Sequence, residues 1–246
     1  MTALDPTAPT VEGVDWDDFV AWFPTVWEQG EHVALIGPTG EGKTTVAAQL
    51  MLMRRYVLAL DPKGGDSTLS ILERKGFQRI TSWPPPREVR DDITEGKPAR
   101  LIVGQRINSH KEQDKLKALF QRTLEGAFAD KGWTVYIDEL QIAADRSMMN
   151  LMKSIEMNLI AARDRAVSMV TSFQRPANVP RTASDQATWL VIFYTRDRDT
   201  VDRIAEMMGR PKDEVRGAIS ALQRHCVLIV NRSPRMPMLV TEPAPL

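Results

Sequence analysis

The eight residues from Gly37 to Thr44 constrain this chain more than any other feature of its 246-residue sequence. They read GPTGEGKT and match the pattern G-x-x-x-x-G-K-[ST] at every fixed position. The apolar run Val33 to Ile36 precedes them and the segment Lys43 to Arg54 follows, which predicts a strand, a loop and a helix. Glycines let successive backbone N–H groups surround an anion at the positive end of a helix. The sequence therefore predicts a site for the phosphates of a nucleotide.

Two side chains of this predicted phosphate loop have separate expected roles. Lys43 would place its ammonium beside the β- and γ-phosphates. The hydroxyl of Thr44 is the kind of oxygen ligand that Mg²⁺ prefers. The residues expected to bind the nucleotide are Gly37, Pro38, Thr39, Gly40, Glu41, Gly42, Lys43, Thr44 and Thr45.

Two carboxylates follow a second apolar run further along the chain. Thr134 to Ile137 predicts a strand, and Asp138 and Glu139 come directly after it. Asp138 is expected to bind Mg²⁺ through the water shell of the ion, and Glu139 to orient the water that attacks the γ-phosphate. An acidic pair that only caps the next helix is the alternative. The phosphate loop upstream favours the catalytic interpretation.

Gln174 follows a third predicted strand, Val167 to Thr171. Ligands collect at the carboxyl ends of parallel strands. If this strand lies between the two strands that carry the motifs, Gln174 faces the γ-phosphate and would sense the nucleotide or help to position water. A glutamine with no chemical role is the alternative.

Strands and helices alternate from His32 onward, which predicts an α/β fold with a parallel sheet and helices on both of its faces. The apolar runs Val227 to Val230 and Met238 to Val240 predict a C-terminal β-hairpin. We therefore expect one domain over residues 32–246, preceded by an acidic arm over residues 1–31.

The predicted arm contains one short segment with a helical pattern of aromatic residues. Residues 1–13 are expected to be loose, whereas Trp16, Phe19, Val20 and Phe23 recur at helical spacing before Pro24. This aromatic face would pack either on its own domain or on a neighbouring subunit.

The formal net charge of zero conceals an uneven distribution. Residues 1–42 contain eight acidic residues and no Lys or Arg, so the rest of the chain carries 32 basic and 24 acidic residues, a net charge of +8. A basic body can contact a polyanion such as nucleic acid, although a solvated charged surface is the simpler alternative.

The composition excludes several kinds of protein. The single cysteine, Cys226, cannot form an intramolecular disulfide or a zinc cluster, and it favours a reducing compartment. No apolar run approaches the roughly 18 residues needed to span a bilayer. Residues 1–9 lack the basic and apolar segments of a secretory signal, so none is expected.

Three further segments resemble the HerA–FtsK superfamily of DNA-translocating ATPases. Ala162 to Val167 followed by Thr171 to Pro176 reads ARDRAV and TSFQRP, similar to the GR…TQRP segment of that superfamily. Asp61 to Gly65 reads DPKGG, as it does after the second strand of FtsK-type motors. Leu222 to Ile229 is similar to the start of their C-terminal strand pair. The resemblance covers about His32 to Val240.

The resemblance implies a RecA-like P-loop fold of the ASCE class that uses ATP and Mg²⁺. It assigns Lys43, Thr44, Asp138 and Glu139 to the nucleotide site and Gln174 to the sensor position. Arg163 lies where family members place an arginine finger, which acts on the ATP of the neighbouring subunit. The family glycine before this arginine is Ala162 here. The remaining candidates for the finger are Arg165, Arg175 and Arg181, and a surface salt bridge is the alternative role for Arg163.

The resemblance also implies a ring, usually a hexamer, that pulls double-stranded DNA through its pore. Basic loops such as Arg106 to Lys111 and Asp145 to Arg146 would line that pore. The chain is expected to be a minimal viral genome-packaging ATPase, with a portal or capsid vertex component as a further partner. The expected location is the host cytoplasm or the vertex of a virion or procapsid. The alternatives are a conjugation or secretion ATPase of the VirB4 or coupling type, and an NTPase switch that is not a motor.

Overall fold

Strands and helices alternate along the chain in the computed structural model, which describes residues 11–62, 69–105, 109–232 and 236–244. The strands are β1 (Val11–Val14), β2 (His32–Ile36), β3 (Tyr56–Leu60), β4 (Gln78–Ile80), β5 (Ala99–Val103), β6 (Thr134–Ile137), β7 (Ser168–Phe173), β8 (Ala187–Phe193), β9 (Val227–Asn231) and β10 (Met238–Thr241). The helices are α1 (Trp16–Val26), α2 (Lys43–Leu52), α3 (Ser70–Arg74), α4 (Arg87–Thr94), α5 (His110–Asp130), α6 (Leu140–Ala144), α7 (Met152–Ile160), α8 (Ala162–Arg165), α9 (Arg181–Asp185), α10 (Arg198–Met208) and α11 (Lys212–Ser220).

The strands form one sheet in the order β1-β10-β9-β8-β2-β7-β6-β3-β5-β4. Neighbouring strands from β8 to β4 in this order are parallel, whereas β9 runs antiparallel to both β8 and β10. Every residue of β2, β6 and β7 is buried, which explains why these segments read as continuous apolar runs. The predicted α/β fold with a C-terminal hairpin is confirmed.

Alternate residues of each central strand face two separate hydrophobic cores. In β2, Val33 and Leu35 belong to the core shared with α1, α2 and α3. Ala34 and Ile36 belong to the core shared with α5, α7, α10 and α11. Side chains of a strand alternate between the two faces of a sheet, so helices on both faces are needed to bury these apolar residues.

The aromatic segment near the N-terminus forms α1, which packs on the sheet of its own chain. Phe23 is fully buried, and its ring lies edge-on to the ring of Trp189 in β8, with 4.9 Å between the ring centres. The indole nitrogen of Trp189 donates a hydrogen bond to the carboxylate of Glu31 at 2.9 Å. The helix continues past Pro24, as shown by the bond from the Trp27 N–H to the Phe23 carbonyl at 2.9 Å.

Several elements differ from the sequence-based expectations. Residues 1–13 were expected to be loose, but Val11 to Val14 form β1, which pairs in parallel with β10. The single helix expected over Met148 to Arg163 is a turn followed by α7 and α8. The short elements α3, β4 and α4 were not predicted.

The helix expected over His110 to Asp130 is confirmed as α5. Its first turn has the expected cap, because the hydroxyl of Ser109 accepts a hydrogen bond from the Glu112 N–H.

Two expected features lie outside the described residues. These are Lys63, Gly64 and Gly65 of the DPKGG segment, and residues 106–108 of the basic loop expected to line a pore. None of the helices in the described ranges is both long enough and apolar enough to cross a membrane.

Candidate active site

The predicted phosphate loop connects the carboxyl end of β2 to the start of α2. The N–H of Gly37 donates to the carbonyl of Phe173, the last residue of β7, at 3.2 Å, which ties the loop to the neighbouring strand. Gly40 and Gly42 have φ angles of 88° and 96°, a left-handed conformation that glycine adopts without the strain of a side chain. Gly37 has no room for a side chain, because an added Cβ would lie 2.6 Å from the Cβ of Phe193. The glycines of the motif are therefore needed for its shape.

Lys43 is the first residue of α2, and only 9% of its surface is exposed. Its ammonium donates to the carbonyl oxygens of Gly37 and Pro38, both at 2.8 Å. A buried ammonium needs such hydrogen bonds to offset the loss of water. Because carbonyls are neutral, Lys43 still brings a full positive charge to the loop, beside the N-terminus of α2, where an anion is favoured.

The strand order brings the three predicted motif segments to one edge of the sheet. β7 pairs in parallel with β2 on one side and with β6 on the other. The phosphate loop, Gln174 and the pair Asp138–Glu139 follow these three neighbouring strands. The strand before Gln174 therefore lies between the two strands that carry the other motifs, which is the arrangement on which its expected role depends. Its half-buried side chain does not line the cavity described below.

Asp138 is buried and held by three hydrogen-bond donors. Its Oδ1 accepts from the hydroxyl of Tyr136 at 3.0 Å and from the hydroxyl of Ser172 at 2.5 Å. The backbone N–H of Glu139 donates to the same oxygen at 3.1 Å. Burial, together with the nearby charge of Asp138, raises the pKa of Tyr136 well above its usual value, so its hydroxyl keeps the proton that it donates. The side chain of Thr44 lies next to the same hydroxyl.

Glu139 has an uncommon backbone conformation for a residue other than glycine. Its φ and ψ angles are 47° and 63°, in the left-handed region, just before α6. Such a conformation costs about 1–3 kcal/mol and persists where the surroundings fix it. Here the N–H of Glu139 donates to the hydroxyl of Ser172 at 3.1 Å as well as to Asp138. The backbone of Glu139 is therefore fixed at the carboxyl ends of β6 and β7.

These groups surround a cavity of ≈ 520 Å³. Small-molecule sites in proteins usually measure about 300–1,000 Å³, so the cavity has room for a nucleotide. The residues that line it are Thr39, Gly40, Gly42, Lys43, Thr44, Thr45, Val46, Asp138, Glu139, His225, Pro243 and Ala244.

Sequence analysis missed six residues in or around this cavity, one of which, Val46, directly follows the predicted loop residues. Tyr136 and Ser172 lie inside strands and resemble ordinary core residues. His225, Pro243 and Ala244 are far from every motif along the chain, and nothing in the sequence connects them to the phosphate loop.

The oxygen ligands that Mg²⁺ requires are present at the cavity. Thr44 and Asp138 both line it, and Mg²⁺ at phosphate sites binds one or two protein oxygens, phosphate oxygens and several waters. Across the described ranges there is no cluster of three or more His, Cys, Asp or Glu residues that would hold a metal without a phosphate. The residues fit an ion that binds together with a nucleotide.

The candidate arginines lie in different environments. Arg163 is exposed in α8, before the start of β7, and that strand of six residues places it about 20 Å from the phosphate loop of its own chain. The guanidinium of Arg165 lies 4.6 Å from the ring centre of Phe128. Arg175 forms an ion pair with Asp197 at 3.2 Å. Arg181 is exposed at the start of α9. None of the four lines the cavity.

No protein-family model matches the sequence, and no curated protein matches it. Solved structures do match. The genome packaging NTPase B204 from Sulfolobus turreted icosahedral virus 2, in complex with ATP-gammaS, has a TM-score of 0.62 at 17% identity, covering 88% of this chain and 99% of that chain. VirB4 of Thermoanaerobacter pseudethanolicus has a TM-score of 0.57 at 13% identity, covering 87% and 90%. At these identities the likeness concerns the fold, and the chain therefore has the P-loop NTPase fold implied by its resemblance to the HerA–FtsK superfamily.

Proposed function

We propose that this protein is a Mg²⁺-dependent ATPase that works as a ring, expected to be a hexamer, and moves double-stranded DNA, as in viral genome packaging. One observation carries the ATPase assignment. Because β7 lies between β2 and β6, the phosphate loop with Lys43 and the pair Asp138–Glu139 line one cavity. A cation, a metal ligand and a carboxylate around one phosphate site are what hydrolysis of a nucleoside triphosphate requires.

The residues of the three sequence motifs each have a part in the proposed reaction. The loop N–H groups and Lys43 bind the phosphates and offset the charge that develops on them. Thr44 and Asp138 would hold Mg²⁺, which supplies further positive charge at the phosphate oxygens when it is bound. Glu139 orients the attacking water and accepts its proton. Gln174, next to these groups, would respond to the γ-phosphate.

Ser172 is a positioning residue in this mechanism, because its hydroxyl contacts both Asp138 and the N–H of Glu139. We expect Ser172→Ala to lower the turnover rate about tenfold and to leave ATP affinity nearly unchanged, since one hydrogen bond to a charged group is lost. Steady-state kinetics and equilibrium ATP binding would measure both quantities. Ser184→Ala is the matched control, because Ser184 is equally buried but bonds to the carbonyl of Arg181. Equal turnover in the two variants would contradict this role.

The proposed action on DNA rests on the charge and on the structural likeness. Outside residues 1–42 the chain carries a net charge of +8, which suits contact with a phosphate backbone regardless of base sequence. A solved relative in fold is described as the DNA-packaging ATPase of Sulfolobus Turreted Icosahedral Virus, and the match covers 99% of its chain. In that setting the protein would act in the host cytoplasm or at a capsid vertex, beside a portal or vertex component.

An ATPase assay with and without long double-stranded DNA tests the motor function. We expect DNA to raise the rate of ATP hydrolysis, and the stimulation to weaken as salt increases, because counterions compete for the phosphates. Lys43→Ala is the control for contaminating activity and should be inactive under all conditions. A rate that DNA does not change at any salt concentration would contradict DNA translocation.

A conjugation or secretion ATPase is the second candidate. The likeness to VirB4, which covers 87% of this chain and 90% of that one, favours it. The same assay separates the two proposals. Hydrolysis that is independent of double-stranded DNA would support the second candidate over the first.

A further inference from the structure

The cavity has a second wall that the phosphate motifs do not explain. His225 lies in the turn before β9, and Pro243 and Ala244 follow β10, so both segments come from the C-terminal hairpin. These residues line the cavity together with the loop and the start of α2. The side chains of Pro243 and Ala244 have no N–H group, charge or oxygen with which to bind phosphate or Mg²⁺, so this wall suits another part of the ligand.

The ring of His225 rests on the phosphate loop. Its Nδ1 lies 3.3 Å from the carbonyl oxygen of Glu41, and a Cβ added to Gly42 would lie 3.6 Å from the same nitrogen. A carbonyl only accepts hydrogen bonds, so Nδ1 carries the proton of this bond. In the neutral ring Nε2 is then an acceptor, and it has no hydrogen-bond partner within the described part of the chain.

The backbone holds His225 in place. Its φ angle is 66°, a left-handed conformation that is uncommon for residues other than glycine, although histidine is among those enriched there. Strained residues of this kind concentrate at ligand sites, where the surroundings fix them. The conformation of the turn and the contact with Glu41 together fix the ring at the edge of the cavity.

We propose that His225, Pro243 and Ala244 form the subsite for the nucleobase, and that Nε2 of His225 selects a purine with a 6-amino group. Adenine presents an N–H donor at that position, whereas guanine presents a carbonyl that would face the acceptor nitrogen. A site that pairs with a hydrogen-bonding group discriminates against a ligand that lacks it, because its own polar atom is left unpaired. This inference rests on the proposed function, since it assumes that the loop binds the triphosphate.

Equilibrium binding of three ligands tests the subsite. The ligands are the non-hydrolysable nucleotides AMPPCP and GMPPCP and inorganic tripolyphosphate, each with Mg²⁺. We expect the unchanged protein to bind AMPPCP about tenfold more tightly than GMPPCP, the equivalent of one neutral hydrogen bond. His225→Gly, which the left-handed backbone tolerates, should abolish this preference without changing the affinity for tripolyphosphate.

A second variant tests the apolar part of the subsite. Ala244→Trp should fill the space for the base and weaken both nucleotides, again without changing the affinity for tripolyphosphate. A preference for AMPPCP that persists in His225→Gly, or unchanged nucleotide binding in Ala244→Trp, would overturn the proposal. If tripolyphosphate and both nucleotides bind the unchanged protein equally, the base subsite alone is refuted. If none of the three binds, the proposed nucleotide site fails as well.

Discussion

Replacing Glu139 with glutamine is expected to lower the ATP turnover rate by about 10²–10⁴-fold, the usual contribution of a general base. Glutamine keeps the size of the side chain but cannot accept a proton from the attacking water. ATP binding should be nearly unchanged, because the phosphates are held by the loop and by Lys43 on the other side of the cavity. An interaction that operates only in the transition state lowers kcat and leaves binding intact.

The measurement is the turnover rate together with the ATP dissociation constant. Glu125→Gln is the matched control, because Glu125 is an exposed glutamate in α5 whose only described contact is a hydrogen bond from Gln121. It should hydrolyse ATP at the unchanged rate. Lys43→Ala gives the contrasting pattern, since it should lose binding as well as turnover. Turnover of Glu139→Gln within tenfold of the unchanged protein would show that Glu139 is not the base.

The geometry around Glu139 is the physical reason for expecting so large an effect from a single residue. Its N–H is shared between Asp138 and Ser172, and its backbone is left-handed, so its position is set before any ligand arrives. A preorganised group needs no rearrangement during the reaction, so its full interaction with the transition state is lost when it is removed.

The parts of the site that could be predicted from sequence are those whose chemistry depends on residues close together along the chain. The loop from Gly37 to Thr44 needs its glycines at fixed spacing, and Asp138 and Glu139 follow a readable strand. The role of Ser172 could not be predicted, because a serine inside a buried strand has no distinctive pattern. His225 was missed for a different reason, since the turn that carries it reaches the loop only after the sheet has formed.

The same distinction applies to the fold. The 21-residue helix α5 has a sustained apolar face and a capping serine, so its first and last residues could be predicted from the sequence. The strand β1 could not be predicted, because its four residues VEGV have little strand pattern and are held in place by pairing with β10. The segment Met148 to Arg163 has a helical composition, yet Asn150 adopts a φ of 50°, and the helix begins only after it, at Met152.

The surface around Arg163 combines an exposed cation with exposed apolar side chains, which would suit a contact between subunits. Arg163 is exposed at the edge of the sheet opposite its own phosphate loop, and its side chain has no ion pair within the described ranges. Ile160, three residues earlier at the end of α7, is 70% exposed, and Met157 is 38% exposed. Residues three apart lie on the same side of a helix, so Met157 and Ile160 form an exposed apolar strip on the side of α7 that ends near Arg163. In a ring, the surface of one subunit meets a different surface of the next, which would bring this edge to a neighbour's cavity.

We expect Arg163→Ala to lower turnover by about 10³-fold or more, the usual contribution of an arginine finger, and to leave ATP binding intact. Because the finger would act on a neighbour, mixing provides a test that a structural role would fail. Arg163→Ala subunits keep an intact nucleotide site, and Lys43→Ala subunits keep Arg163, so mixed rings should regain activity that neither variant has alone. Arg165→Ala is the matched control, since Arg165 lies on the same helix but stacks on Phe128 of its own chain. Full activity in Arg163→Ala, or no recovery in the mixture, would exclude Arg163 as the finger; rescue of an inactive Arg165→Ala would transfer the role to Arg165.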